Sequence, residues 1–192
     1  MIDLAPVDGS APTVERRAAA MEVRASGRRL VGIAATFWTV ASIGTRAKEQ
    51  IAPGAFATSL ADGNDILALV DHDPAKVIGR TRSKTLRLSQ DSRGLAFEID
   101  LPETSAANDV LALAMRGDLG GMSFGFVVPA GGETWQGELR TLHQVDLREI
   151  SVVSAWPAYQ GTEVSLRTAA GLQEREARRR RLVIAEAGIW AR

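Results

Sequence analysis

The 192-residue chain has no cysteine. That excludes disulfides, thiolate metal sites and a cysteine nucleophile, and it suits a cytoplasmic protein. Histidine is almost as scarce. His72 in "VDHDP" and His143 in "TLHQV" lie far apart in sequence, so a histidine-based metal site has little support. Lysine contributes only Lys48, Lys76 and Lys84 to the 23 basic residues, which balance 23 acidic ones. A net charge of zero makes no demand for a nucleic acid or a membrane surface as partner. There is no G-x-x-x-x-G-K-[ST] loop to cradle a phosphate, and no cofactor is expected. No run approaches the roughly 18 apolar residues of a membrane span. The opening stretch "MIDLAPVDGSAPTVERRAAAMEVR" lacks the apolar core of a secretory signal.

What is present reads mostly as strand. The length suits one domain with residues to spare: a flexible leader over 1–20, a domain over 21–168, and a basic helical tail over 169–192 carrying the run Arg178 to Arg181. "RRLVGIAATFW", "DILALVDHD", "MSFGFVV" and "LRTLHQVDLREISVVSAW" alternate or carry β-branched and aromatic residues. "LRLSQDSRGLAFEID" predicts a hairpin, because Asp91-Ser92-Arg93-Gly94 supplies turn chemistry between two alternating arms. Two helices interrupt the strands. One is "APGAFATSLADG", with Pro53 placed to start it and Gly63 to stop it; the other is "TSAANDVLALAMRGD", capped by Thr104 or Ser105 and stopped by Gly117. The expected class is β-rich α+β, a β-barrel with a few helices around it.

Within "GGMSFGFVV", Gly121-Met122-Ser123-Phe124-Gly125 fits G-x-S-x-G, the nucleophile elbow of serine hydrolases. The elbow requires strand, tight turn, helix. Here a helix precedes the serine and a strand contains it, so the α/β-hydrolase reading fails and with it a small esterase. The same chemistry recurs on unrelated folds, and the serine stays a candidate. In a strand, Ser123 has Gly121 and Gly125 as neighbours on its face, a bare surface that a substrate backbone can approach. The bland alternative is a strand bend with a small polar filler.

A serine nucleophile needs a base. Alternation in "DILALVDHDP" puts His72 in line with Ile66, Ala68 and Val70, at the rim of a strand. Asp71 and Asp73 flank it, which suits a base only if they point to water. An ordinary surface histidine is the competing reading, and His143 has weaker context still. For the acid, alternation in "QVDLREISVVSAW" groups Glu149 with Val145, Leu147, Ser151 and Val153. An inward carboxylate needs a partner, either an imidazole that it orients or an arginine such as Arg80 or Arg82. Asp146, near Arg148 on the other face, reads as a surface pair, yet it remains an alternative third member.

Taken together, "IAPGAF", "VDHDPAKVIGRT", "TLRLSQDSRGLAFEIDLPET", "GDLGGMSFGFVV" and "RTLHQVDLREISVVSAWPAYQGT" resemble the prohead protease family of tailed bacteriophages, in family order from about residue 30 to 168. The resemblance implies a fold similar to the herpesvirus assembly protease, a β-barrel surrounded by helices. It implies a serine endopeptidase of capsid maturation whose histidine falls on His72, serine on Ser123 and third residue on Glu149, with Gly121, Gly125 and backbone N–H groups near Gly121 or just after Glu149 as candidates for the oxyanion hole. The implied partner is the major capsid protein or a separate scaffold inside the assembling prohead in the host cytoplasm, with self-cleavage and a homodimer as further expectations. A phage, a prophage and a gene transfer agent are all compatible sources. The alternative function is a non-catalytic capsid assembly or scaffolding protein with the same fold.

Overall fold

The computed structural model describes residues 13–19 and 23–154. The expected basic tail, most of the expected leader, and the end of the expected domain lie outside the described residues. Within them the chain is strand-rich, with two helices and three sheets. The first sheet has the order β1 (Glu15–Ala19), β10 (Gly121–Val127), β13 (Asp146–Val153), β6 (Leu67–Val70), β7 (Asp73–Arg80). The second runs β11 (Glu133–Gln136), β12 (Leu139–Leu142), β5 (Ala47–Ile51), β4 (Ala41–Ile43). The third runs β2 (Val23–Ser26), β3 (Arg29–Thr36), β9 (Gly94–Asp100), β8 (Leu86–Gln90). The β-rich α+β class holds. The expected closed barrel is not formed among the described residues, where each sheet ends on open edge strands.

The predicted hairpin is β8 and β9, paired antiparallel. Its turn is held by Asp91, whose carboxylate accepts the backbone N–H of Arg93 at 2.7 Å and of Gly94 at 3.1 Å. The longer helix, α2 (Ser105–Arg116), begins on Thr104, whose hydroxyl accepts Ala107 N–H, and stops at Gly117 in the left-handed conformation, φ 74°. The shorter helix, α1 (Ala57–Ala61), starts later than Pro53 predicts, because turn bonds from Ala55 and Ala57 back to Ala52 and Gly54 take up the preceding residues.

The core sits between the sheets. Phe37, Phe56, Phe124 and Phe126 form a chain of ring contacts, with centroids 6.3, 5.8 and 5.2 Å apart, and Leu30, Leu95, Ile99 and Ile150 are fully buried around it. Because Met122, Phe124 and Phe126 of β10 all enter this core, alternation sends Gly121, Ser123 and Gly125 to the opposite face. Ser123 therefore occupies the middle strand of a three-strand patch, between β1 and β13.

One irregularity changes the expected faces of β13. Gly125 pairs with Glu149 but Phe126 pairs with Leu147, which leaves Arg148 as an extra, bulged residue. The bulge resets the alternation. Leu147, Ile150 and Val152 join the core, while Glu149 and Ser151 turn to the face of Ser123. Glu149 thus does not share a face with Val145 and Leu147, as unbroken alternation would have it.

Candidate active site

The site is built on the non-core face of the first sheet, where two rows of side chains cross β1, β10 and β13. Ala18, Ser123 and Ser151 form one row; Arg16, Gly125 and Glu149 form the next. Directly paired residues of antiparallel strands point the same way, so Ser123, Ser151 and Glu149 share one face.

His72 reaches this face from a turn rather than from the end of a strand. The stripe Ile66, Ala68, Val70 does enter the core, but Asp71 and His72 both adopt left-handed backbone, φ 50° and 59°, and swing the imidazole out of line with it. The ring meets β13 instead. Its Nδ1 lies 2.5 Å from Glu149 Oε1, across 77 residues of sequence. The backbone N–H of His72 donates to Ser151 Oγ at 2.8 Å. Neither flanking aspartate bonds the ring. The Asp71 carboxylate accepts the N–H and the hydroxyl of Ser154, both at 2.8 Å, and Asp73 accepts Ala75 N–H and pairs with Lys76.

Glu149 is 7% exposed. Its partners are His72 and, at 3.6 Å from Oε1, Arg16 Nε; neither Arg80 nor Arg82 pairs with it, since Arg80 binds Asp65 and Arg82 donates its backbone N–H to the same carboxylate. Its second oxygen, Oε2, is buried without a hydrogen bond. Gly125 explains how a carboxylate fits there. A Cβ at that position would lie 2.6 Å from Glu149 Oε1. The bare strand expected to admit a substrate at Gly125 is therefore occupied by the glutamate, while Gly121 has φ 146°, a conformation that itself calls for glycine.

Ser123 is fully buried, and its hydroxyl has no hydrogen-bond partner. A buried hydroxyl without a bond is rare and marks either stored cost or function. A cleft of about 380 Å³ opens beside the His72 turn, lined by Val70, Asp71, Lys76, Val77, Val110 and Leu113 among others. The remaining candidates stay apart. His143 Nε2 bonds Thr134 on the second sheet, and Asp146, at the far end of β13, binds Arg148 at 2.5 Å as the surface pair expected. Arg16 went unnoticed in the sequence, since it falls in the span read as a leader and carries no motif.

Comparison with known families places the chain among the serine proteases. It belongs to the caudovirus prohead serine protease family, whose model matches residues 15–176 and so takes in β1. That family acts in maturation of the phage capsid within the host. No curated protein and no solved structure matches the chain.

Proposed function

We propose that this prohead protease cuts peptide bonds with Ser123 as nucleophile, His72 as general base and Glu149 as the acid that orients the imidazole. The observation that carries the reading is the 2.5 Å contact between His72 Nδ1 and Glu149 Oε1 on the face that also holds Ser123. With Nδ1 donating its proton to the carboxylate, the neutral ring keeps a lone pair on Nε2. Nε2 takes the Ser123 hydroxyl proton as the oxygen attacks the carbonyl carbon of the scissile peptide. Glu149 then stabilises the imidazolium, which returns the proton to the leaving amine, and water releases the acyl group by the same route. The serine hydroxyl makes no bond to the ring here. Contacts of this kind commonly close only when substrate is bound.

The substrate in this reading is the N-terminal scaffolding segment of the major capsid protein, or a separate scaffold, cut inside the prohead, together with the enzyme's own chain. Extended, unpacked segments are what a protease can thread. Co-expression with the capsid protein of the same particle, followed by intact mass spectrometry of both chains, tests it. Shortened products are expected with the natural sequence and none with Ser123→Ala, a loss on the order of 10⁶-fold when a nucleophile is removed. Equal masses from both, in the presence of assembled proheads, would leave the non-catalytic assembly reading.

A further inference from the structure

The turn that carries His72 is one the chain does not adopt unaided. Two successive non-glycine residues with positive φ are uncommon, even though Asp and His tolerate this region better than most. Such a conformation persists where its surroundings over-determine it. Here β13 supplies those surroundings. Asp71 N–H donates to Val152 O at 2.9 Å, and the Asp71 carboxylate takes both donors of Ser154. These bonds fix Asp71. The backbone of His72 itself is gripped by Ser151, whose Oγ accepts its N–H at 2.8 Å.

Ser151 is 1% exposed and is the cross-strand partner of Ser123. It also follows Glu149 by two residues on the same face. One strand thus offers the imidazole a carboxylate at Nδ1 and offers its backbone a hydroxyl. We propose that Ser151 is a positioning residue, whose hydroxyl sets the His72 backbone so that the ring reaches Glu149 with Nε2 directed to the serine strand. The Nδ1 bond places one ring nitrogen, and the backbone from which the ring hangs sets the direction of the other. The second anchor holds that backbone. The catalytic consequence rests on the triad reading; the positional one does not. A displacement of about 1 Å in such a group costs roughly 10²-fold in rate.

Three substitutions separate the hydroxyl from the space that it fills. Ser151→Thr keeps the acceptor, Ser151→Val has the shape of threonine without it, and Ser151→Ala removes the acceptor and adds no bulk. The readouts are kcat and KM on a peptide spanning the site cut by the natural enzyme, thermal melting, and the NMR resonances of the His72 ring across pH. Thr is expected within a few-fold of the natural enzyme. Val and Ala are expected about 10²-fold lower in kcat, with KM and melting little changed and the ring resonances shifted or broadened. Natural kcat and unaltered ring resonances in Ser151→Ala would overturn the inference, as would equal losses in Thr and Val. Should the bulkier pair fail to fold, Ala decides. Should the natural enzyme and Ser123→Ala cleave alike, the protease reading falls, while the ring resonances of Ser151→Ala still decide the role of Ser151.

Discussion

Glu149 brings a carboxylate into the buried face that holds Ser123. It is buried, one oxygen faces His72 and Arg16, and the other bonds nothing. A charge in that position costs free energy that the fold recovers only through its partners. Glu149→Gln keeps the shape and removes the charge. In the proposed triad it is expected to lower kcat on the order of 10⁴-fold, the scale of losing the acid, with melting within a few degrees, as peptide cleavage and calorimetry on one preparation would show. Gly125→Ala should cost a comparable share of activity by another route, because its Cβ claims the space of Glu149 Oε1. Here the sequence was readable to the extent that residue types were scarce: with two histidines and no cysteine, His72 and the serine of G-x-S-x-G stood out. Arg16 and the filled space above Gly125 were not readable, since both depend on which strands lie side by side.

At the scale of elements, local chemistry was the better guide. The hairpin turn at Asp91 to Gly94 and helix α2 form where Asx bonding, the Thr104 cap and Gly117 put them, because each depends on residues within a few positions of one another. Thr104→Ala removes the bond to Ala107 N–H and is expected to cost about 1 kcal/mol, readable from urea unfolding with an unchanged m-value. Two things defeated the alternation rule. The bulge at Arg148 inserts a residue that a period of two does not foresee, and it reverses the faces of everything before it. The turn at Asp71 and His72 breaks the stripe that began at Ile66, for reasons that lie on β13. Both irregularities occur in the site itself, where function commonly overrides local preference.

Across the whole molecule, a cluster of charges fastens the first sheet to the second. Arg17 binds Glu49 through two nitrogens, at 2.5 and 2.9 Å, and reaches Glu15; Arg140 binds Glu15, Glu49 and Glu133. The hydrogen bonds from Arg140, then from Arg17, hold the Glu15 carboxyl below its ordinary value of 4.5. On the third sheet, Arg87 and then Arg29 lower Asp100 to about 2. Carboxyls depressed in the folded state add stability above their unfolded values and lose it as pH falls through the folded ones. Arg140, whose own value is raised by Glu15, stays charged throughout. The melting temperature is therefore expected to be level from neutral pH to about 5 and to fall between about 4.5 and 2. Glu15→Gln should lower it near neutrality and flatten part of that fall, which melting curves across pH would show. Alternation and turn chemistry pointed to the strand-rich class but not to this arrangement, because sheet order and the pairing of Glu15 with Arg140, 125 positions away, leave no local trace.

The strand β1 works on two sides at once. Glu15 and Arg17 face the charge cluster, while Arg16 and Ala18 lie beside Glu149 and Ser123. A cut into this strand therefore has two effects. A cut that passes Ala18 takes away an edge of the site and a fastening between two sheets together. A cleavage within β1, whatever enzyme makes it, would undo both contacts in one step.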